Sequence, residues 1–171
     1  MSPILVLIGS PGAGKTSVGR RVAERRKVAF ADSDHLIEDR AGSSVSDIFV
    51  NDGEQYFRDL EAEVIAQALV SQKGVLSLGG GSVMREETRE RLAAVPVVWL
   101  RVSLQDAASR VGMNTARPLL LGNVRGTLSA LMQARNPVYE EVADGVVDTS
   151  GRPLRDVVTD VCAFLDVREG A

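Results

Sequence analysis

One short segment near the start of the chain limits its possible folds more than any other, because it matches G-x-x-x-x-G-K-[ST] at every fixed position. It follows an apolar run at residues 4–8 and precedes a helical pattern at residues 18–25. Glycines let successive backbone N–H groups converge on an anion, and the helix that follows adds the positive end of its dipole. The segment predicts a phosphate-binding P-loop with these nucleotide-binding residues: Gly12, Ala13, Gly14, Lys15, Thr16 and Ser17.

Two side chains of the P-loop are expected to carry chemistry. Lys15 is predicted to place its ammonium on the β- and γ-phosphates of a nucleotide, and the Thr16 hydroxyl is a candidate Mg²⁺ ligand. A chance glycine turn between a strand and a helix is the alternative. The order strand, loop, helix argues against it, because the context agrees with a P-loop as well as the letters do.

Length and composition favour one domain over residues 1–171. Hydrophobic residues make up 44 % of the chain, which is enough for an ordinary core. A net charge of −3 and a pI of about 5.3 give no overall basic surface, so nucleic acid is not an expected partner. One basic cluster at the end of the first predicted helix is expected to lie in solvent: Arg20, Arg21, Arg25, Arg26 and Lys27.

The single cysteine and the hydropathy pattern indicate the cellular compartment in which the protein is expected. Cys162 has no intramolecular disulfide partner, and its apolar helical surroundings predict a buried side chain. No stretch has the length and apolarity of a membrane span, and no basic-then-apolar pattern predicts a signal peptide at the start of the sequence. We therefore expect a reducing, cytoplasmic location with no membrane partner, and a monomer by default.

Apolar runs and helical patterns alternate along the chain. Strands are predicted at residues 3–8, 28–31, 74–78, 96–102 and 146–149. Helices are predicted at residues 15–26, 34–41, 46–51 (capped by Ser46), 53–71, 85–94, 104–111, 124–142 (broken late by Pro137) and 153–167. Repeated βα units predict an α/β fold, a parallel sheet with helices on both faces.

In such a sheet, ligands bind beyond the carboxyl ends of the strands. The second predicted strand ends in Asp32-Ser33-Asp34 and the third in Gly79-Gly80-Gly81. One carboxylate is suited to organising Mg²⁺ and the other to holding a hydroxyl-bearing substrate, although either could instead cap a helix. Three successive glycines exceed what a turn needs and favour close approach of backbone to a small ligand.

Three arginines, Arg58, Arg117 and Arg135, are candidate anion clamps. A guanidinium matches a carboxylate or phosphate at two points, but a single surface arginine is usually solvated, so both interpretations stay open here. Among the other unusual residues, His35 and Trp99 are expected to be structural. Glu61, one helical turn after Arg58, is expected to hold that arginine in place.

These segments together resemble the shikimate kinase family, small P-loop kinases of the nucleoside-monophosphate-kinase type. The resemblance spans residues 5–153 and is far more specific than the P-loop alone. Beyond that loop it is carried by Asp32-Ser33-Asp34, Ile48-Phe49, Gly53-Glu54-Gln55-Tyr56-Phe57-Arg58, Gly79-Gly80-Gly81, Asn114-Thr115-Ala116-Arg117-Pro118-Leu119-Leu120 and Arg135-Asn136-Pro137-Val138-Tyr139.

The resemblance implies a three-layer αβα sandwich whose five parallel strands lie in the order 2-3-1-4-5. It also implies a substrate-binding region at about residues 34–61 and a lid at about residues 112–122. The activity it implies is ATP- and Mg²⁺-dependent phosphorylation of the shikimate 3-hydroxyl, in chorismate and aromatic amino acid biosynthesis.

Roles for individual residues follow from the same resemblance. Shikimate would be bound by Asp34, Arg58, Gly79, Gly80, Gly81 and Arg135, in a pocket lined by Phe49 and Phe57. Catalysis would depend on Lys15, Asp34 and Arg117, with Mg²⁺ at Thr16 and Asp32. The nucleotide would also contact Arg110, Arg117 and Arg152. Whether Asp34 removes the hydroxyl proton or only orients the hydroxyl stays open.

Three other functions are weighed against this one. Gluconate kinases and nucleoside-monophosphate kinases share the loop and the fold, but the triple glycine with Arg58 and Arg135 favours shikimate. A GTPase-type switch would normally show an N-K-x-D motif, which the sequence lacks. A relative that only binds nucleotide is disfavoured by the intact Lys15, Asp34 and Arg117.

Overall fold

Five parallel strands form one sheet in the order β2-β3-β1-β4-β5, as expected from the resemblance. The structure is a computed structural model that describes residues 2–111 and 123–170. The strands are β1 (Leu5–Ile8), β2 (Phe30–Asp32), β3 (Val75–Ser77), β4 (Val97–Arg101) and β5 (Gly145–Asp148). The predicted lid at residues 112–122 lies outside the described residues, and a single domain over residues 1–171 stays a prediction.

Helices follow the strands and cover both faces of the sheet. They are α1 (Lys15–Arg26), α2 (Ser33–Ala41), α3 (Val45–Ser71), α4 (Glu86–Leu92), α5 (Leu104–Val111), α6 (Val124–Val142) and α7 (Leu154–Glu169). A short 3₁₀ helix over Ser82–Met84, which the sequence pattern did not predict, follows the triple glycine.

The strand register places the functional segments at one edge. Leu7 of β1 lies opposite Ser77 of β3 and Val98 of β4, and Asp32 of β2 also lies opposite Ser77. All strands run in the same direction, so the segments that follow β1, β2 and β3 leave the sheet side by side. The P-loop, Ser33-Asp34 and the triple glycine therefore meet at the carboxyl edge.

Strand β1 is buried on both faces, which explains its uninterrupted apolar sequence. Leu5 and Leu7 enter a core cluster with residues of α1, α5, α6 and α7. Val6 and Ile8 enter the opposite cluster with residues of α3 and α4. Burying each such side chain stabilises the fold by about 1.5–3 kcal/mol, so β1 holds both layers together and anchors the P-loop.

A third, smaller cluster stabilises the predicted substrate-binding region. Ile37 of α2 packs there with four buried residues of α3: Val45, Ile48, Phe57 and Val64. Within α3, Gly53 has φ 88° and ψ 168°, which a helical residue does not adopt, so the interruption predicted at residues 52–53 is a kink. The helix begins earlier than predicted, and its cap is Ser44, which accepts a hydrogen bond from the Asp47 N–H, and not Ser46.

Three local expectations were wrong. Helix α6 continues to Val142 although Pro137 lies inside it, because the buried Tyr139 packs beyond the proline and stabilises the last turns. Arg26 is not solvated, since it pairs with Asp166 and Glu169 of α7. Cys162 is only partly buried.

Candidate active site

The P-loop turns sharply from β1 into α1, and its glycines are required there by space as well as by backbone angle. Gly9 and Gly12 have φ of 149° and 83°. A Cβ on Gly9 would lie 2.6 Å from the Leu100 carbonyl oxygen, and one on Gly12 would lie 2.7 Å from the Ala107 carbonyl oxygen. The loop is therefore seated against the end of β4 and against α5, which fixes its position at the sheet edge.

Lys15 folds back over this loop. Its ammonium Nζ donates hydrogen bonds to the carbonyl oxygens of Gly9, at 2.7 Å, and Ser10, at 3.0 Å. The charge is thereby held over the concavity where the helix dipole of α1 also favours an anion. A positive group in this place can neutralise a phosphate.

A hydroxyl and a carboxylate lie side by side next to the loop. Thr16 Oγ1 donates to Asp32 Oδ2 at 3.2 Å, and Asp32 Oδ1 accepts from the Asp34 N–H at 2.9 Å. Asp32 is therefore the cap of α2, and capping is not the role of Asp34. The hydroxyl oxygen of Thr16 and the carboxylate oxygens of Asp32 are hard ligands of the kind that Mg²⁺ prefers, so these two residues fit the predicted metal position.

No cluster of three or more His, Cys, Asp or Glu side chains suited to a metal occurs within residues 2–111 and 123–170. Mg²⁺ at a nucleotide site keeps several waters and is bound through one or two carboxylates plus phosphates. The Thr16 and Asp32 pair is consistent with a metal held in that way.

The triple glycine brings carboxylates to its first residue. A Cβ on Gly79 would lie 3.2 Å from Asp34 Oδ1 and 3.0 Å from Glu61 Oε2. The Gly79 N–H donates to Oγ of Ser33, a buried residue whose role the sequence did not reveal. The missing side chain at Gly79 thus makes room for Asp34 at the mouth of the P-loop.

The other two glycines make room for guanidinium groups. A Cβ on Gly81 would lie 2.6 Å from Arg58 Nη2, and a Cβ on Gly80 would lie 3.1 Å from Arg135 Nη1. The structure thus brings Arg58 and Arg135, distant in sequence, to neighbouring residues of one turn. Of the candidate clamps, Arg117 lies outside the part of the chain that the structure describes.

Two contacts hold the Arg58 guanidinium in place. Its Nη1 donates to Glu61 Oε1 at 2.8 Å, and Glu61 is only 2 % exposed, so the expected holding role of Glu61 agrees with the geometry. The guanidinium carbon lies 5.2 Å from the ring centre of Phe57. Phe57 in turn contacts Phe49, with ring centres 4.7 Å apart. These contacts fix an otherwise flexible side chain at the turn.

Arg135 is buried, which is rare for an arginine. Burial lowers the pKa of its guanidinium, and the nearby positive charge of Arg58 lowers this pKa further. The group still stays charged near neutral pH. Two buried or half-buried cations in one pocket favour an anionic ligand, because such a ligand relieves both desolvation and repulsion.

Two clefts meet at the triple glycine. One is lined by the P-loop, Asp32, Asp34, Gly79 and Arg110. The second is lined by residues that include Arg58, Glu61, Gly81 and Arg135. The first suits a nucleotide phosphate chain, and the second suits a small acid. A phosphoryl group transferred from the first cleft to the second would pass beside Asp34.

Two of the predicted nucleotide contacts, Arg110 and Arg152, differ in their surroundings. Arg110 lies against the P-loop, where its Nη1 donates to the Gly12 carbonyl at 2.9 Å. Arg152 instead donates to the Asp148 carbonyl at 2.8 Å and to Asp160 Oδ2 at 2.7 Å, so its guanidinium is engaged at the start of α7. His35, expected to be structural, is exposed.

A P-loop beside a hydroxyl–carboxylate pair, opening onto an arginine-lined acceptor pocket, defines a P-loop kinase of small molecules. A family model described as shikimate kinase matches residues 11–166. The chain belongs to the shikimate kinase family, as its sequence resemblance indicated.

Individual relatives agree with this assignment. The shikimate kinase of Thermobifida fusca (strain YX) is 58 % identical over 148 residues, which cover 86 % of each chain. The solved structure of Acinetobacter baumannii shikimate kinase in complex with shikimate has a TM-score of 0.93 and 33 % identity, covering 98 % of this chain and 94 % of that one. A gluconokinase from Sinorhizobium meliloti 1021 shares only the fold, with a TM-score of 0.59 and 21 % identity over 96 % of this chain and 92 % of that one.

Proposed function

We propose that this chain transfers the γ-phosphoryl group of ATP to the 3-hydroxyl of shikimate, giving shikimate 3-phosphate and ADP, in chorismate and aromatic amino acid biosynthesis. The observation that carries the proposal is the turn Gly79–Gly81, which packs Asp34 and two arginines against three consecutive residues beside the P-loop. A carboxylate-bearing polyol needs an anion clamp and a hydroxyl acceptor in that arrangement.

On the nucleotide side, Gly12 to Ser17 and Arg110 would bind ATP, with Lys15 neutralising the phosphates. Thr16 and Asp32 would hold Mg²⁺, Asp32 through water. When bound, Mg²⁺ neutralises the charge on the β- and γ-phosphate oxygens. Because phosphoryl transfer needs placement and positive charge more than covalent help, Lys15 is well positioned to act as a catalytic residue. Arg117, carried by the predicted lid, is proposed to add a second positive charge.

On the acceptor side, Arg58 and Arg135 would grip the shikimate carboxylate in a pocket lined by Phe49 and Phe57. Phe57 would also support Arg58. The backbone of Gly79, Gly80 and Gly81 would lie against the ring. Asp34 would hold the hydroxyl that attacks, either removing its proton or orienting it. The placement of Asp34 beside Gly79 and close to the P-loop supports an in-line approach to the γ-phosphate.

The proposal extends to location and assembly. Among the described residues, no helix combines the length and apolarity that crossing a membrane requires. We propose a cytoplasmic enzyme that acts as a monomer, since both clefts are formed within one chain.

The first experiment measures ADP release with Mg²⁺ and ATP in the presence of shikimate, gluconate or each nucleoside monophosphate. Release that depends on shikimate alone is the expected result. Release driven by gluconate or a nucleotide would keep the kinase class but contradict the proposed acceptor. A protein that binds ATP and is inactive with every acceptor would be a binding protein, and the proposed activity would be wrong.

A further inference from the structure

Tyr139 is a completely buried residue with no role in the proposed chemistry. It lies on α6, one helical turn after Arg135. Its ring packs against Trp99 of β4, with ring centres 5.8 Å apart and planes tilted by 37°. The ring is therefore fixed to the sheet, and its hydroxyl is carried to a defined place.

That place is the middle of the triple glycine. Tyr139 Oη donates a hydrogen bond to the Gly80 carbonyl at 2.6 Å, across 59 residues of sequence. Burial raises the pKa of Tyr139 to about 12, so the phenol stays protonated and remains a donor near neutral pH. The hydrogen bond thus holds the Gly80 peptide in one orientation.

Gly80 itself lies between the P-loop and the acceptor pocket. A Cβ on Gly80 would lie 3.1 Å from Pro11 Cδ, 3.4 Å from the Gly9 carbonyl oxygen and 3.1 Å from Arg135 Nη1. The hydroxyl of buried Ser10 also interacts with the Tyr139 phenol. One tyrosine therefore lies where the nucleotide loop, the glycine turn and Arg135 come together.

We propose that Tyr139 is a positioning residue that keeps the Gly80 peptide and Arg135 in register with the P-loop, and so couples the two substrate sites. The proposal rests on the proposed function. Tyr139 acts through other groups, because its hydroxyl interacts with Gly80, Ser10 and Arg135. Losing the hydroxyl would leave the Gly80 carbonyl without this donor and would loosen the spacing between the two clefts.

The test is Tyr139→Phe, which keeps the ring and removes the oxygen. We expect kcat/KM for shikimate to fall about tenfold, with a higher KM for shikimate and a smaller rise in KM for ATP, because coupling between two sites acts in both directions. The matched control is Tyr56→Phe, which removes the same oxygen from the other tyrosine, a half-exposed side chain. Val161→Ala is the structural control, because Val161 is buried in the core cluster on the other face of the sheet, and it should lower Tm with KM for shikimate unchanged.

Two results would overturn the role of Tyr139. One is wild-type kinetics in the Tyr139→Phe variant. The other is a loss of activity that follows only the folded fraction, with KM for shikimate unchanged. The wild type is assayed alongside. If the wild type shows no activity that depends on shikimate, the proposed function is wrong. If the wild type is active and Tyr139→Phe has the same kinetics, only the coupling is wrong.

A second measurement uses the full chain without changing Tyr139. The sequence contains two tyrosines, so incorporated fluorotyrosine gives two fluorine NMR signals, and Tyr56→Phe assigns them. We expect the Tyr139 signal to shift when shikimate is added alone and again when ADP is added alone. A Tyr139 signal that does not shift with one of the two ligands would contradict the proposal that this residue couples both sites.

Discussion

Gly81 and Arg58 occupy adjoining space, so that a single added carbon at Gly81 would lie 2.6 Å from Nη2 and 2.8 Å from the central carbon of the guanidinium. The backbone of Gly81, with φ −94° and ψ −1°, is one that alanine can adopt. The glycine is therefore required by the arginine and not by the turn.

This relationship gives a first prediction. Gly81→Ala should displace Arg58 and raise KM for shikimate by at least about tenfold, because one charged contact contributes about 1.5–3 kcal/mol. KM for ATP and Tm should change little. Steady-state kinetics with each substrate varied, together with thermal melting, measure all three. An unchanged KM for shikimate would mean that Arg58 does not grip the acceptor.

Lys15→Ala should lower kcat by about 10²–10³-fold while the protein stays folded, because a positioned positive group is lost from the phosphate site. Lys73→Ala is the control, since Lys73 is exposed and lies next to the start of β3, at the opposite edge of the sheet. Circular dichroism checks folding in both variants. Full activity in Lys15→Ala would contradict the proposed role.

Arg135→Ala should weaken shikimate binding far more than ATP binding. Removing one partner of a desolvated charged contact costs about 2–5 kcal/mol. Titration calorimetry with shikimate and with ADP separates the two effects, and Arg91→Ala, on the exposed face of α4, is the control. Equal losses for both ligands would point to a damaged fold and not to a lost clamp.

Stability at high pH should report the buried phenol. The pKa of Tyr139 is raised by burial to about 12, above the value of about 10 in an unfolded chain. The folded state therefore holds this proton more tightly. The resulting stabilisation is fully present below about pH 10 and is lost as pH rises towards 12. Urea unfolding measured at intervals across this pH window should show the free energy of unfolding falling more steeply in the wild type than in Tyr139→Phe. A parallel dependence on pH in the two proteins would contradict the raised pKa of Tyr139.

The fold could be predicted largely from local patterns. The buried strand before the P-loop, the apolar run of β4 and the glycine kink in α3 each leave a signature in consecutive residues. The strand order came from the family resemblance. Pro137 misled the prediction because local propensity opposes a helix there, while packing of Tyr139 supports it from a distance.

The site was also predictable in part, because some of its residues belong to local motifs. The glycines and arginines belong to motifs, and the structure brings Asp34, Arg58 and Arg135 to one turn as expected. Ser33 and Tyr139 were missed because each acts through one hydrogen bond to a residue 46 or 59 positions away, which leaves no periodic signal. The division of work between Asp32 and Asp34 also depends on atom positions that spacing alone does not give.

Helix α6 packs into both main core clusters, through Leu128 and Met132 on one side and Tyr139 on the other. The wall of the acceptor pocket that carries Arg135 is thus tied to both main core clusters, where we expect local stability to be high. Asp34 lies on α2, and Arg58 adjoins Phe57 on α3, the two helices that pack through the smaller third cluster. The two walls of the acceptor pocket therefore rest on different parts of the core, and we expect local opening to begin at the wall that carries Asp34 and Arg58.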